Sequence, residues 1–580
     1  MVSVQPKPWP EVPEDTARVA RLAARRGEVP LAMRVRDKLG ELFADAEFTE
    51  AFGTRGRPGW SPGRLAMVTV LQMAENLSDR AAAHRVRFDI SWKYCLGLGL
   101  DEPGFDASVL SEFRTRLVEH GLEERVLDLL VARLRVEGLV KAGGKQRTDS
   151  TQVVAAVREL NRLELAGEAV RAALAALSAA APGWLAAVVD VPSWELRYGR
   201  KVDESWRPPS SKAKRAAMAL EFGRDGLGLL QAVYCVGSPG WLREMPAVQA
   251  LRQILVQNYL VVTDHDGREV VKRREADAEG LPPGRSRLTS PYDLDARYGV
   301  KDEKFWVGYK LHVSETCLEP TADSTTARGK PQTVAAVPNL ITHVETTEAT
   351  VPDIRLVEPV HQALRRRDVL PGEHYLDSGY ASAAMVVDAR KDFGVTMVTP
   401  LMADVSRQQR ENLGYRREDF IVDWDNRQVT CPQGAVSQYW HPCTRRGDAM
   451  IAVRFDPADC DSCPTRTLCT TAVGKRYGRQ IALRPREVHD LIEAHRGSQD
   501  TDGWRAKYAL RSGIEGTIHQ AVHVTGNRRA RYRGLAKTHL EHVYSAVALN
   551  LIRLDAWWNG RPLDRQRTSH LTRLGIALAA

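Results

Sequence analysis

The 580-residue chain has no long run of strongly apolar residues. Its longest uncharged segment, residues 172–189, is mostly alanine and is interrupted by Pro182 and Gly183. This composition predicts a helix and its end rather than a membrane span. The first residues, MVSVQPKPWPEVPED, contain no apolar stretch of the kind found in a secretion signal. We therefore expect a cytoplasmic protein with no membrane partner.

Cysteine is scarce outside one segment. In a chain without a secretion signal, clustered cysteines indicate metal binding more than disulfides. The spacing of four of them predicts a structural Zn²⁺ site, and reduced cysteines in a small β-rich insertion are the alternative. The predicted zinc ligands are Cys431, Cys460, Cys463 and Cys469, with Cys443 as a further candidate, whereas Cys95, Cys235 and Cys317 stand apart.

Positive charge is concentrated near the C-terminus. The net charge is +9, and from residue 501 onward the chain has thirteen Lys or Arg against five Asp or Glu. Basic side chains neutralise phosphates, so this distribution favours a DNA partner for the region. A basic tail that contacts only solvent is the alternative. The glycine-bracketed segment GNRRARYRG predicts a phosphate-binding loop. The predicted contacts in and after this loop are Arg528, Arg529, Arg531, Arg533 and Lys537.

Residues 15 to 140 predict a helical region. Ser61 and Pro62 form a helix start, and Ser78 caps the helix that follows. Short helices joined by tight turns are typical of a helix-turn-helix, in which Arg85 and Lys93 are available to DNA. The alternative is a helical bundle with ordinary surface arginines.

After residue 140 the pattern changes to strands alternating with helices. Strands are predicted around TDST, in FWVGYKLHVSET and LITHVETTEAT, and then in EHYLDSG and GVTMVTP, with helices between and after them. This order predicts an α/β ribonuclease-H-like domain with a mixed sheet and helices on both faces. We thus divide the chain into an all-α DNA-binding domain, residues 1–140, and a catalytic domain, residues 141–580. The second contains a helical insertion at about 155–290 and a small Cys-rich insertion at about 401–500.

Three carboxylates lie on the elements that a two-metal site requires. Asp149 lies in the first predicted strand, Asp377 ends the fourth, and Glu515 lies on a single predicted helix, WRAKYALRSGIEGTIHQAV. Two hard divalent ions held by such carboxylates clamp the attacking and leaving oxygens of a phosphodiester. A structural or merely solvated role is the alternative for each of the three, because the chain has 73 acidic residues. Asp377 could simply begin a turn, and Glu515 could pair with Arg511 on one helical face.

The motifs TDST, WVGYKLH, HYLDSGY and YALRSGIEG resemble those of bacterial insertion-sequence transposases of the DDE class. Tyr508, Arg511 and Glu515 match the Tyr-x2-Arg-x3-Glu signature of part of that class. The lysine expected seven residues after the glutamate is absent, because Val522 occupies that position, and Lys537 is a possible substitute.

The resemblance implies the chemistry and the partners. Asp149, Asp377 and Glu515 would hold two Mg²⁺ or Mn²⁺ ions, and Arg511 would steady the glutamate or a phosphate. The substrates would be double-stranded DNA with terminal inverted repeats and a target DNA, bound by a nucleoid-associated homodimer. No phosphate-binding loop for a nucleotide is present, in keeping with phosphodiester exchange. A catalytically silent DNA-binding regulator and a ribonuclease-H-like nuclease without strand transfer are the alternatives.

Overall fold

The computed structural model divides the chain into two compact units. The first consists of Met1–Lys141, Asp149–Val351 and Ile514–Ala580, and the second of Ala142–Thr148 and Pro352–Gly513. No helix in the part of the chain that the structure describes is long and apolar enough to cross a membrane. The described residues are 2–3, 5–25, 27–53, 55–201, 208–301, 303–317, 337–401, 407–411, 413–445, 447–470, 478–499 and 501–560.

The N-terminal part of the first unit is helical, as its sequence predicts. The Ser61 side chain accepts a hydrogen bond from the Arg64 N–H, and Ser78 accepts one from the Ala81 N–H, so both predicted caps are present. A two-residue pair, β1 (Val2–Ser3) and β2 (Arg57–Pro58), accompanies the helices. The helices are α1 (Glu14–Ala24), α2 (Leu31–Leu39), α3 (Pro62–Ala74), α4 (Asp79–Phe88), α5 (Ile90–Leu96), α6 (Ser108–Glu119) and α7 (Arg125–Val136).

The chain then forms strand β3 (Lys145–Val154), whose first residues belong to the second unit and whose last residues belong to the first. The segment that follows is mainly helical and has its own apolar core around Leu165, Val170, Leu251 and Ile254. It contains α8 (Arg162–Ala180), α9 (Pro182–Val188), α10 (Val191–Tyr198), α11 (Lys212–Tyr234), α12 (Pro246–Asn258) and the hairpin β4 (Tyr259–Thr263) and β5 (Glu269–Arg273).

The rest of the first unit's sheet comes next. Strands β6 (Arg297–Lys301), β7 (Lys304–Thr316) and β8 (Ile341–Glu348) follow in the chain. Strand β7 pairs antiparallel with both β6 and β8, and β3 is its neighbour on the sheet. Strand β7 is buried along most of its length, as expected for a strand covered on both faces.

The second unit contains the strands that pair in parallel. Helix α13 (Val357–Arg366) precedes β9 (Glu373–Tyr375), and α14 (Ala383–Asp388) precedes β10 (Thr396–Val398). Strand β9 pairs in parallel with β10 and with residues 145–147 of β3. Strand β3 therefore takes part in a sheet with both parallel and antiparallel pairing, the mixed sheet that the sequence predicts.

The Cys-rich segment is a small β-rich module of the second unit. Its apolar core contains six buried side chains, Phe420, Val429, Val453, Phe455, Ile481 and Leu483. Its elements are α15 (Arg407–Glu411), the hairpin β11 (Ile421–Asp423) and β12 (Gln428–Thr430), the strands β13 (Tyr439–Arg445) and β14 (Asp448–Arg454), α16 (Pro457–Asp461), α17 (Arg466–Cys469) and β15 (Gln480–Leu483), which completes a three-stranded antiparallel sheet with β13 and β14.

The prediction of a single helix around Glu515 is wrong. After α18 (Arg486–Gln499), helix α19 (Asp502–Ala509) ends in a 3₁₀ turn over Leu510–Gly513, and α20 (Ile514–His523) begins anew. Ser512 and Gly513 disfavour a continuous helix, and the Ser512 hydroxyl donates to the Ala509 carbonyl at 2.8 Å. The last described helix, α21 (Leu535–Trp558), is buried along much of its length in the first unit.

Candidate active site

The register of β3 and β9 relates the two predicted catalytic aspartates. Within the second unit, Arg147 pairs with Tyr375 in parallel register. Asp149 follows Arg147 by two residues, and Asp377 follows Tyr375 by two residues. Asp149 is 7% exposed, and its Oδ1 accepts a hydrogen bond from the Ser150 N–H at 2.7 Å.

Asp377 begins a turn, the alternative that the sequence left open. It caps a 3₁₀ turn over Ser378–Tyr380, and its Oδ1 accepts from the Gly379 N–H at 2.9 Å. The Thr399 hydroxyl donates to the Asp377 carbonyl oxygen at 3.0 Å, which fixes the backbone just after β9. This cap occupies one lone-pair region of one carboxylate oxygen, so the turn leaves Asp377 able to bind a cation.

Arg511 and Asp377 lie together in the second unit. The Nη2 atom of Arg511 is 3.8 Å from the Oδ2 atom of Asp377, and their side chains are 18% and 31% exposed. Arg511 lies in the 3₁₀ turn over Leu510–Gly513. This turn is also held to β3, because Nη1 of Arg147 donates to the Leu510 carbonyl at 2.8 Å. Within the second unit, two arginines thus hold the turn over Leu510–Gly513, Arg511 to Asp377 and Arg147 from the start of β3.

A buried hydrogen-bond chain joins β3 to β9 in the second unit, through Thr148, which precedes Asp149, and His374, which precedes Tyr375. Nε2 of His374 lies 2.7 Å from the Thr148 hydroxyl oxygen, and its Nδ1 lies 2.8 Å from Nε2 of His361 on α13. Burial lowers the pKa of His374 well below its usual value and lowers the pKa of His361 to about 4. Both rings are therefore neutral near pH 7, and they position the two strands without adding charge.

Glu515 is exposed in the first turn of α20, and a buried network anchors that helix in the first unit. Two residues after it, the Thr517 hydroxyl donates to Glu315 on β7 at 2.6 Å. Arg553 on α21 donates to the same Glu315 carboxylate at 2.8 Å and also contacts Thr517. Because Glu315 is fully buried, this ion pair and hydrogen bond hold α20 at one place against β7.

The arginine loop, residues 526–534, lies against the end of β3 in the first unit. The Val154 N–H donates to the Arg528 carbonyl at 2.9 Å, and the Ala530 N–H donates to the Val154 carbonyl at 2.8 Å. The Arg528 guanidinium donates to the Gln152 carbonyl at 2.8 Å. The loop is therefore fixed to the same strand that carries Asp149.

The four arginines of this loop differ in their surroundings. The Arg531 guanidinium donates to the Asn76 side chain and the Leu77 carbonyl, and its backbone N–H donates to buried Glu541 at 2.8 Å. Arg529 and Arg533 are exposed. Arg528 and Arg531 thus hold the loop in place, and Arg529 and Arg533 present charge to solvent.

The three remaining predicted DNA contacts are placed differently. Lys93 is 4% exposed, and its ammonium donates to the carbonyls of Gly99 and Glu102. Contrary to the prediction, this buried side chain is not available to DNA. Arg85 is exposed but forms ion pairs with Glu75 at 2.8 Å and Asp89 at 2.5 Å. The partly buried Lys537 ammonium donates to the Thr115 hydroxyl at 3.1 Å.

The predicted zinc ligands line one cavity of about 410 Å³ in the small β-rich module. Cys431, Cys460, Cys463 and Cys469 are all free thiols. Burial raises the pKa of the Cys469 thiol; the cation of Arg479 opposes this rise and the three other cavity thiols add to it. Cys443 lies on β13 and is not part of the cavity lining.

In the arrangement seen here, no three His, Cys, Asp or Glu side chains of the described residues form a group able to hold a metal ion. Asp149 and Glu515 belong to the first unit and Asp377 to the second. Within the second unit, the ion pair between Arg511 and Asp377 brings two of the predicted catalytic residues together.

The sequence did not single out Glu315, Thr517 and Arg553. A glutamate in a strand that otherwise reads as buried is the signal that could have drawn attention to Glu315, since such a carboxylate needs a cationic partner. That partner is 238 residues away along the chain, so no local pattern identifies it.

Two parts of the chain match known protein families. Residues 27–116 match the family described as "Transposase domain (DUF772)", and residues 430–555 match the family described as "Transposase DDE domain". The first match covers most of the N-terminal helices, and the second includes the cysteine cavity, Glu515 and the arginine loop, whereas Asp149 and Asp377 lie outside both. No curated protein and no solved structure gave a significant match. Together with the motifs, the two family matches support an insertion-sequence transposase of the DDE class.

Proposed function

We propose that the chain is a transposase that cuts DNA at the ends of an insertion sequence and joins the released 3′ ends to target DNA. The observation that carries the proposal is the register of β3 and β9. The strands are parallel and Arg147 pairs with Tyr375, so Asp149, within β3, and Asp377, just after β9, each follow a paired residue by two positions. This correspondence supports a shared role as metal ligands in a ribonuclease-H-like domain.

The proposed donors fit a hard divalent ion. Carboxylates such as Asp149, Asp377 and Glu515 are the ligands that Mg²⁺ and Mn²⁺ prefer, and these ions need only a few protein oxygens. When bound, a pair of such ions would stabilise negative charge on the attacking and leaving oxygens of a phosphodiester. The chain itself would contribute these three carboxylates as ligands.

Arg511 has a positioning role in this proposal. Its guanidinium lies 3.8 Å from the Asp377 carboxylate and would orient that carboxylate. Arg147 holds the adjacent turn through the Leu510 carbonyl. The Glu315, Thr517 and Arg553 network then fixes the helix on which Glu515 lies.

The arginine loop is the proposed contact for double-stranded DNA. Arg529 and Arg533 are exposed on a loop that is bonded to the end of β3, five residues after Asp149. Phosphate contacts there would hold the duplex beside the cleavage site. The N-terminal helices would bind the terminal repeats, and a homodimer would hold two ends at once.

A DNA assay with the full-length protein tests this function. The substrate is a labelled duplex that carries the inverted repeats flanking the coding sequence, incubated with Mg²⁺ and a supercoiled target plasmid. Cleavage at the repeat end followed by joining is the expected result, and EDTA should abolish both. Cleavage without joining would assign the chain as a nuclease, and binding without cleavage would assign it as a regulator.

A further inference from the structure

The small β-rich module of the second unit has a small apolar core. Among its described residues, six buried apolar side chains form this core, and partly buried apolar side chains pack against it. Domains of fewer than about 70–80 residues usually need disulfides or a metal in addition to such a core. All the cysteines of this module are free thiols, so disulfides do not supply the missing constraint.

Four of these thiols come from three separate pieces of the module and surround one cavity. Cys431 follows β12, Cys460 lies in α16 with Cys463 just after it, and Cys469 ends α17. The cavity that they line has a volume of about 410 Å³. Every cysteine of the C-x2-C-x5-C segment and the distant Cys431, all partly buried, therefore line the same cavity.

The backbone around the thiols forms tight turns that present sulfur inward. The Gly434 N–H donates to the Cys431 carbonyl at 2.9 Å, and the Cys431 N–H donates to the Ala435 carbonyl at 2.8 Å. Gly434 has a φ of 86°, a conformation that favours glycine. The sulfur of Cys460 accepts a hydrogen bond from the Arg479 N–H at 3.3 Å. Such N–H contacts orient a sulfur and stabilise it as a thiolate ligand.

We propose that Cys431, Cys460, Cys463 and Cys469 together bind one structural Zn²⁺ ion that holds the two hairpins and the short helices of this module in place. Four thiolates in tetrahedral arrangement are an established zinc ligand set. Binding draws the sulfurs inward over the cavity and releases the thiol protons to solvent. The guanidinium of Arg479, which also lines the cavity, offsets part of the remaining negative charge.

Metal analysis of the full-length protein tests this proposal. The protein is purified under reducing conditions, dialysed against buffer without metal, and analysed for zinc by mass spectrometry. About one equivalent of zinc per chain is expected. Replacing the zinc with Co²⁺ should give the intense absorption of cobalt bound to several thiolates. Less than a tenth of an equivalent after purification, together with no cobalt–thiolate band on Co²⁺ addition, would overturn the proposal.

Matched variants identify the ligands. Cys431→Ser, Cys460→Ser, Cys463→Ser and Cys469→Ser should each lower zinc affinity by at least about tenfold, as measured by competition with a chelator. Cys443→Ser is the matched control, since Cys443 lies in the same module but outside the cavity lining, and it should retain one equivalent. An equal loss in Cys443→Ser, or no loss in any of the four variants, would contradict the assignment.

Two further measurements keep the result interpretable. The cobalt spectrum of the wild-type protein reports thiolate ligation directly, so it remains decisive if a serine variant fails to fold. Asp149→Asn should keep its zinc, because the proposed site does not include the carboxylates. Zinc bound by a protein that does not cut DNA would therefore support this site even if the proposed function failed.

Discussion

The Nη2 atom of Arg511 lies 3.8 Å from the Oδ2 atom of Asp377, and this ion pair connects the 3₁₀ turn before α20 to the end of β9. The Arg511 side chain is mostly buried, with 18% of it exposed, which weakens solvent screening. The pair therefore links the backbone leading to Glu515 with the carboxylate that we propose as a metal ligand.

Arg511→Ala should lower the rate of DNA cleavage by about 100-fold while leaving the affinity for DNA ends nearly unchanged. Arg511→Lys should be intermediate, because lysine keeps the charge but not the planar fork of donors. Arg505→Ala is the control, since Arg505 lies on the preceding helix and is 62% exposed. Single-turnover cleavage and end binding are measured for each variant. A parallel loss of binding and cleavage would contradict the positioning role.

The buried network around Glu315 should be important for stability. Arg553→Ala leaves the fully buried Glu315 carboxylate without its cation, so we expect a loss of about 3–5 kcal/mol in the free energy of unfolding. The control is Arg18→Ala, which removes an exposed pair with Asp15 and should cost less than about 1 kcal/mol. Urea unfolding followed by tryptophan fluorescence provides the comparison. A loss below about 1 kcal/mol for Arg553→Ala would contradict the importance of this ion pair for stability.

The pH dependence of stability should include a contribution from Glu541. Burial raises the pKa of Glu541 from 4.5 to about 7, against the opposing effect of the hydrogen bond from the Arg531 N–H. The folded state therefore binds this proton more tightly than the unfolded state. The corresponding stability is fully present below pH 4.5 and is lost as the pH rises through about 7.

Glu541→Gln removes this titration while keeping an acceptor for the Arg531 N–H. The stability of the variant relative to wild type should therefore increase by about 3 kcal/mol as the pH rises across that interval. Glu14→Gln, at an exposed position on α1, is the control and should show no such trend. Unfolding curves recorded across this pH range provide the measurement. Parallel curves for Glu541→Gln and wild type would contradict the raised pKa.

The arginine loop should contribute to DNA affinity through charge. Arg529→Ala and Arg533→Ala should each weaken binding of any duplex and reduce the slope of log K against log salt by about 0.9. Arg18→Ala, on the exposed face of α1, is the control for a lost surface charge. Fluorescence anisotropy at several salt concentrations measures both quantities. An unchanged salt slope in both loop variants would exclude phosphate contact by these two side chains.

The sequence predicted the elements better than it predicted the contacts. The strands β7, β8, β9 and β10 were expected because alternation and flanking turns are local signals, and the structure confirms them. The break at Leu510–Gly513 was missed, since Ser512 and Gly513 lie inside an otherwise helical pattern.

Side-chain partners depend on residues far away in the chain. Lys93 was expected to face DNA, but its ammonium binds two carbonyls in the loop after α5. Arg531 was expected to bind phosphate, but its guanidinium holds Asn76 and Leu77, more than 450 residues earlier in the chain. Charge and spacing indicated the basic loop, and only tertiary packing decides which of its arginines are exposed.

The most direct test of the proposed catalytic mechanism is cleavage of labelled insertion-sequence ends by Asp149→Asn, Asp377→Asn and Glu515→Gln. Each substitution removes one carboxylate charge with little change in size. End binding, measured on the same substrate, serves as the control for folding. The mechanism predicts that all three variants bind the ends like wild type and that none cuts them in Mg²⁺. Wild-type cleavage by any one of them would contradict the assignment of that carboxylate to the metal site.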